Sequence, residues 1–211
     1  DYGCGTATVQ EGMIAALMSE IFHRNDIATE RVLAVVELAD VYAVNVRAAR
    51  NLLRPSHFFV HLKQNRTDSL RAAIDWFIDR QTRNGFFKKA RSRKERYRLL
   101  AEEMAQTFAR VTATFEREYI FCWLDWDGDN ILADGGLIDY GSVRQFGLCH
   151  REYRFDDGPR FSTTLTEQRR MAQLIVQNFA QIRDFLITGR KPPLKSYRRD
   201  AALAFFDQVY A

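Results

Sequence analysis

Proline and glycine are scarce in this sequence, with four prolines and 11 glycines among 211 residues. Collagen-like and linker-rich proteins are therefore excluded, because both depend on these two residue types. The three cysteines, Cys4, Cys122 and Cys149, form no Cys-x-x-Cys pair and leave an odd count. Such usage predicts reduced thiols in a cytoplasmic protein rather than a framework of disulfide bonds.

Long apolar runs and a strong excess of one charge are missing as well. Lys and Arg number 31 against 27 Asp and Glu, a net charge of +4, which is too small to predict binding to nucleic acid or to a membrane. No segment approaches the roughly 20 apolar residues that a membrane-spanning helix needs. The chain does contain 46% hydrophobic residues, which is enough for a globular protein with its own core.

Apolar residues at spacings of three and four predict a mostly helical chain. The clearest helix has one apolar face that we expect to be buried, formed by Tyr97, Leu100, Met104, Phe108, Val111 and Phe115. Further helices are predicted over 8–24 and from Thr67, Thr164 and Ser196. Two segments rich in β-branched residues, 31–36 and 41–46, predict a β-hairpin. The expected fold class is therefore α+β and mostly helical.

An acidic segment, 125–139, holds five aspartates in fifteen residues. Carboxylates held close together repel one another, so they either point into solvent or bind a cation. Within this segment Asp134-Gly135 is a strong signal for a two-residue loop between apolar arms. Such a loop predicts that Ile131 lies directly opposite Ile138.

The same register places Asn130 directly opposite Asp139, with both side chains on one face of the hairpin. An amide oxygen and a carboxylate at that distance can share a hard cation such as Mg²⁺. A shift of one residue would undo this pairing, because neighbouring side chains of a strand point to opposite faces. The sequence therefore predicts a magnesium site formed by these two residues.

Two other interpretations of the acidic segment stay open. The first is a calcium loop of the EF-hand type, because aspartates at 125, 127 and 129 occupy its first, third and fifth positions. That pattern fails at Asn130, where a glycine belongs, and at Gly136, where a bidentate Glu belongs. The second is a polar surface turn, in which Asp and Gly serve turn geometry alone.

The pair Asp129-Asn130, followed after eight residues by Asp139-Tyr140-Gly141, resembles the metal-binding motif of the selenoprotein O (YdiU) family of kinase-like protein adenylyltransferases. Weaker similarities occur in the same order on both sides of it, at 19–20, 27–31, 55–59 and 156–162. At 27–31 the family has Ile-Pro-Thr-Thr-Arg where this chain has Ile-Ala-Thr-Glu-Arg. The resemblance extends over about residues 5–185.

By this resemblance we expect a protein-kinase-like fold. Residues 1–60 would form the end of a small lobe, with a helix and a β-hairpin, and residues 61–211 a helical large lobe that carries the metal-binding hairpin. The family binds ATP and Mg²⁺ and transfers AMP to a hydroxyl group of a Ser, Thr or Tyr in a protein. The resemblance thus implies ATP and Mg²⁺ as cofactors and a protein as substrate.

The resemblance also implies a role for four residues of this chain. Asn130 and Asp139 would bind Mg²⁺, and Asp129 would be the catalytic base or a second metal contact. Arg47, directly after the predicted strand 41–46, is similar to one of the arginines that hold the ATP phosphates in the family.

Several positions depart from the family pattern. The family's strand lysine would lie before Asp1, and its helix glutamate aligns with Ala15. A second phosphate-binding arginine aligns with Phe59, and a histidine that precedes the motif aligns near Trp123. These departures favour one alternative, a catalytically inactive module that binds nucleotide or a partner. A second alternative is a kinase of the same fold that transfers the γ-phosphoryl group, because Asn130 and Asp139 would serve either chemistry.

Overall fold

Helices dominate the fold, and short antiparallel strand pairs accompany them. The predicted fold class, α+β and mostly helical, is confirmed, whereas the protein-kinase-like arrangement stays a prediction. The structure is a computed structural model that describes residues 7–39, 41–122, 124, 127–145, 152–153 and 163–211.

The described helices are α1 (Val9–Arg24), α2 (Pro55–Lys63), α3 (Thr67–Arg83), α4 (Arg93–Arg117), α5 (Leu165–Thr188) and α6 (Ala201–Tyr210). Two 3₁₀ helices cover Tyr140–Ser142 and Leu194–Arg199. The strands are β1 (Arg31–Glu37), β2 (Ala43–Ala48), β3 (Phe121–Cys122), β4 (Val143–Gln145), β5 (Glu152–Tyr153) and β6 (Thr163–Thr164). β1 pairs with β2, β3 with β4 and β5 with β6. None of the described helices combines the length and apolar character that crossing a membrane requires.

α1 and the β1–β2 hairpin form the first part of the fold, as the sequence predicts. α1 begins with a capping box. The Glu11 amide donates to Thr8 Oγ1 at 3.1 Å, and the Thr8 amide donates to the Glu11 carboxylate at 2.8 Å. α1 packs so closely on the hairpin that a side chain at Gly12 would collide with Asn45. The small residue at this position therefore permits the close contact of helix and sheet.

The core of the remaining chain lies between α4 and α5. The apolar face predicted for α4 is buried except for Val111, which is half-buried, and Phe108 at its centre is fully enclosed. Phe179 of α5 packs against Phe108, with ring centroids 6.5 Å apart. On its other side Phe179 contacts Phe58 and Phe59 of α2. The two long helices thus enclose an aromatic cluster that also fixes the position of α2.

Exposed apolar side chains are concentrated in the first part of the fold. α1 covers one face of the β1–β2 hairpin, and much of the other face is open to solvent. We call this region the exposed apolar surface, and its members, on the hairpin and its loop, are Leu33, Val36, Leu38, Val41, Tyr42, Val44 and Val46. Met13, Ile14 and Leu17 of α1 are exposed as well.

The segment after residue 130 joins the first part of the fold to the helical core. The Leu137 amide donates to the Ala28 carbonyl at 2.9 Å, and the Leu137 carbonyl accepts from the Glu30 amide at 3.1 Å. In the other arm of the same hairpin, the Ala133 amide donates to the Leu53 carbonyl at 2.8 Å. The acidic hairpin predicted from the sequence therefore lies where about the first 60 residues meet the rest of the chain.

Candidate functional site

The acidic segment folds into the predicted hairpin, but its register differs from the prediction by one residue. Ile131 pairs with Leu137, not with Ile138. The Leu132 amide donates to the Gly136 carbonyl at 2.8 Å, which closes a loop of three residues rather than two. The predicted pairing of Ile131 with Ile138 is therefore wrong.

The chemistry of the turn explains the different register. The Gly135 amide donates to the Leu132 carbonyl at 2.9 Å, and Gly135 has a left-handed φ of 87°. This is the geometry of a three-residue loop with a glycine bulge, in which Asp-Gly occupies the second and third loop positions. A two-residue loop would have put both residues at its centre. The dipeptide is compatible with both loops, so the sequence signal did not separate them.

Asn130 and Asp139 end the two arms of this hairpin. The observed bridge sets Asn130 across from Ile138, so the direct pairing of Asn130 with Asp139 is also wrong by one position. The bridge of Ile131 with Leu137 is isolated, and no strand ladder continues to Asn130 and Asp139, so the alternation of faces along a strand does not separate their side chains. Asn130 is 7% exposed. Asp139 is half-buried, and its Oδ1 accepts a hydrogen bond from the Gly141 amide at 3.0 Å. Its Oδ2 accepts none from the residues that the structure describes.

The oxygen donors at this site fit Mg²⁺ only together with a ligand. Across the described ranges, no three His, Cys, Asp or Glu side chains come close enough together to hold a metal ion. Proteins often bind Mg²⁺ through one or two carboxylates, with phosphate oxygens and water as further ligands. Asn130 and Asp139 match that smaller donor set. The EF-hand interpretation is wrong, because its loop would run from 125 to 136 and lead directly into an exit helix, whereas residues 131–137 form a hairpin.

Asp129 lies beside the N-terminus of α2. Its Oδ1 accepts hydrogen bonds from Arg54 Nη1 at 3.1 Å and from Ser56 Oγ at 3.0 Å. The Asp129 side chain is 55% exposed, so a second molecule can reach it. The contact brings together two segments that are more than 70 residues apart in the sequence.

Close packing fixes this contact. Gly128 has a φ of 72°, and a Cβ atom there would lie 2.5 Å from Pro55. The Arg54 amide donates to His57 Nδ1 at 3.2 Å, which orients the imidazole against the first turn of α2. Burial lowers the pKa of His57, the positive charge of Arg54 lowers it further, and Asp129 acts in the opposite direction. His57 is therefore held neutral near physiological pH.

Arg47 forms an ion pair with Glu30, in which Arg47 is partly exposed. The Arg47 guanidinium contacts the Glu30 carboxylate and also donates to the Ile138 carbonyl at 2.7 Å. The Glu30 side chain is fully buried. Its burial raises the pKa of the carboxyl group, and the charge of Arg47 works against that rise. The structure therefore places Arg47 next to the residue that precedes Asp139.

Tyr140 anchors the chain directly after Asp139. Its hydroxyl group lies 2.8 Å from Thr29 Oγ1, and its ring lies 6.1 Å from that of Phe22 in α1. Burial raises the pKa of Tyr140 to about 12. The phenol is therefore neutral, and it ties the segment around Asp139 to the first part of the fold.

The structure also shows which residues the sequence analysis missed. Arg54 was not among the candidates, although it directly precedes Pro55-Ser56-His57, one of the segments that carry the resemblance. Glu30 was not singled out either, although the family has Thr at that position. Ala15 and Phe59, which replace family residues, are both buried, and Trp123 lies outside the described residues.

Comparison with known proteins identifies the family. No family model matches the chain. It is 30% identical over 171 residues to a protein nucleotidyltransferase YdiU of Burkholderia multivorans, covering 76% of this chain and 32% of that protein. Proteins of the same name from Burkholderia thailandensis and Paraburkholderia xenovorans are 31% and 30% identical over 147 residues, which is 66% of this chain and 27% of theirs. The chain thus spans about a third of the length of the curated relatives it matches. It belongs to the YdiU family, as a divergent member.

Proposed function

We propose that this chain carries the metal-binding part of an enzyme that uses Mg²⁺ and ATP to transfer AMP to hydroxyl groups of proteins. The observation that carries the proposal is the acidic hairpin, because Asn130 and Asp139 end its two arms and Asp129 stands beside them at the surface. The relatives support nucleotidyl transfer, since they are named protein nucleotidyltransferases.

Asn130 and Asp139 are the proposed ligands of Mg²⁺, through one amide oxygen and one carboxylate oxygen. Bound Mg²⁺ would neutralise charge on the phosphates during transfer. Gly141 holds Oδ1 of Asp139 through its amide, which leaves Oδ2 as the donor for a metal. Asn130 is buried, which restricts the orientations that its side chain can adopt.

Asp129 is the proposed general base. Ser56 and Arg54 both hold its Oδ1, and Oδ2 accepts no hydrogen bond from the described part of the chain. The hydroxyl group of a Ser, Thr or Tyr could therefore donate its proton to Oδ2 as its oxygen attacks the α-phosphorus of ATP and pyrophosphate leaves. Arg54 adds a positive charge at the same place, where negative charge develops during the transfer.

Two buried positions favour a second candidate, a module that binds nucleotide without turning it over. Ala15 and Phe59 stand where the resemblance expects a glutamate and a phosphate-binding arginine, and both lie in the hydrophobic core. Phe59 is 1% exposed and packs against Phe179, so this position cannot contact a phosphate. A kinase of the same fold would use Asn130 and Asp139 in the same way.

We further propose a cytoplasmic location. The support is the cysteine usage of the sequence, which has three cysteines and no Cys-x-x-Cys pair. Such usage is typical of a protein in a reducing compartment.

The test is to incubate the protein and candidate protein substrates with ATP labelled at the α or the γ position. We expect the α label to enter protein, and Asp139→Ala to reduce that incorporation on the order of 10²–10³-fold, because the charge of the transferred phosphate loses its metal. The fold should remain, which far-ultraviolet circular dichroism measures.

Asp127→Ala is the matched control. Asp127 lies in the same acidic segment, and its Oδ1 is buried without a hydrogen bond from the described residues. The proposal does not include Asp127 among the ligands of Mg²⁺. If Asp127→Ala and Asp139→Ala lose activity equally, the assignment of the ligands is wrong. Incorporation of the γ label would support the kinase, and nucleotide binding with neither label incorporated would support the inactive module.

A further inference from the structure

The Arg47–Glu30 ion pair points to a role for Arg47 other than the phosphate contact that the resemblance implies. We propose that Arg47 is a positioning residue, which holds the Ile138 carbonyl and thereby places Asp139, with Glu30 as its permanent counter-ion. The inference rests on the proposed function only in giving Asp139 the role of a metal ligand. The contacts themselves do not depend on that role.

The first argument is the density of fixed contacts just before Asp139. The Leu137 carbonyl accepts from the Glu30 amide, and the next carbonyl, that of Ile138, accepts from Arg47 at 2.7 Å. Glu30 therefore acts twice, through its backbone on Leu137 and through its side chain on Arg47. Two consecutive carbonyl groups are held by Glu30, which directly precedes β1, and by Arg47 of β2, so the position of Asp139 follows from that of the β1–β2 hairpin.

The second argument is what Arg47 would leave behind if it turned to a phosphate. The Glu30 side chain is completely buried. Loss of the partner of a buried carboxylate strongly destabilises the folded protein, because the charge is left unpaired away from water. Arg54 faces no such penalty, because its partner Asp129 is more than half exposed and water can replace the contact. Arg54 is thus the arginine that is free to contact a nucleotide, and Arg47 is not.

The experiment measures binding of ATP to the protein with and without Mg²⁺, in the wild type, Arg47→Met, Arg47→Lys and the double variant Glu30→Gln/Arg47→Met. We expect metal-free ATP to bind all four alike. The increase in affinity that Mg²⁺ produces should fall roughly 10–100-fold in Arg47→Met, as for residues that orient a metal ligand. Lys can still donate to the Ile138 carbonyl, so Arg47→Lys should recover part of that increase. The double variant removes the unpaired buried charge and keeps the test valid if Arg47→Met does not fold.

Hydrogen exchange of residues 137–142 provides a second readout that needs no nucleotide. We expect faster exchange there in Arg47→Met and in the double variant, and no change in Arg80→Met, whose arginine donates to the surface carbonyl of Arg50. A loss of metal-free ATP binding in Arg47→Met would overturn the inference in favour of a phosphate contact. Unchanged exchange would overturn it as well. If the wild type binds no ATP, the proposed function fails. Hydrogen exchange alone then tests whether Arg47 positions the segment that carries Asp139.

Discussion

Glu30 illustrates how much the protein interior changes a single carboxyl group. Burial raises the pKa of Glu30, while the positive charges of Arg47 and Arg54 oppose the rise. Between the ordinary pKa of a glutamate, about 4.3, and the raised value, the native state binds more protons than the unfolded state. The contribution of Glu30 to stability therefore decreases as the pH rises through this window and is constant above it.

The first prediction at this scale is that Glu30→Gln removes this dependence. The amide carries no proton to lose, so the free energy of unfolding should fall less steeply as the pH rises above about 4 in the variant than in the wild type. Urea unfolding at a series of pH values measures the difference. Equal slopes in the two proteins would show that Glu30 does not titrate differently in the folded state.

Gly135 allows a second prediction for a single residue. Its φ of 87° costs roughly 1–2 kcal/mol for any residue with a Cβ atom, and that atom would lie 2.7 Å from Val111. Gly85 has a similar φ of 80°, but nothing lies within 4 Å of its Cβ position. Gly135→Ala should therefore destabilise the protein more than Gly85→Ala, and chemical denaturation compares the two. A larger effect of Gly85→Ala would mean that the hairpin loop rearranges freely.

At the scale of whole elements, α6 depends on a single aspartate. Asp200 caps α6 by accepting from the Ala202 amide at 2.9 Å, and it also pairs with Arg183 of α5 at 2.8 Å. Burial alone would raise the pKa of Asp200, but the hydrogen bonds from Arg183 and Ala202 hold it below its usual value. This stabilisation is present above the ordinary pKa and is lost as the pH falls through the lowered value.

The prediction for this element is that Asp200→Ala lowers the free energy of unfolding by about 3 kcal/mol at neutral pH, because it leaves Arg183 short of a partner and α6 without a cap. Asp200→Asn keeps a capping oxygen and loses only the charge, so it should cost less. Urea denaturation of both variants gives the comparison. If Ala and Asn cost the same, the cap contributes nothing and the ion pair carries the whole effect.

The elements also show what the sequence could and could not predict. α4 was predictable because its apolar face repeats over the full length of the helix and meets a single large core. The acidic hairpin was predictable as a hairpin, but its register was not, since a glycine with positive φ suits both loop lengths. The contact of Arg54 with Asp129 and the pair of Arg47 with Glu30 were not predictable, because each joins different elements and depends on how those elements pack.

At the scale of the whole molecule, apolar surface is distributed unevenly. The helical core encloses its large side chains, whereas the exposed apolar surface leaves Leu33 and Val44 of the β1–β2 hairpin in contact with water. Contiguous apolar patches on a protein surface favour association with other apolar surfaces. The solution behaviour of the chain should therefore depend on this one region more than on its net charge.

We predict that the double substitution Leu33→Lys/Val44→Lys reduces the binding of an apolar fluorescent dye and the light scattering of concentrated solutions. Because both side chains are exposed, the free energy of unfolding should change by no more than about 0.5 kcal/mol per site. Leu52→Lys is the control, since Leu52 is exposed but lies outside the exposed apolar surface. An equal effect of the control would show that added charge, and not the loss of the surface, improves solubility.

The pairing of residues 28–30 with Leu137 also has a mechanical consequence. These residues follow α1 almost directly, with the Ile27 amide bonded to the Phe22 carbonyl of α1 at 2.9 Å. Because Leu137 lies two residues before Asp139, backbone hydrogen bonds connect the end of α1 to the segment that carries the Asp139 carboxylate. We therefore expect a ligand that displaces the end of α1 to shift Asp139 as well.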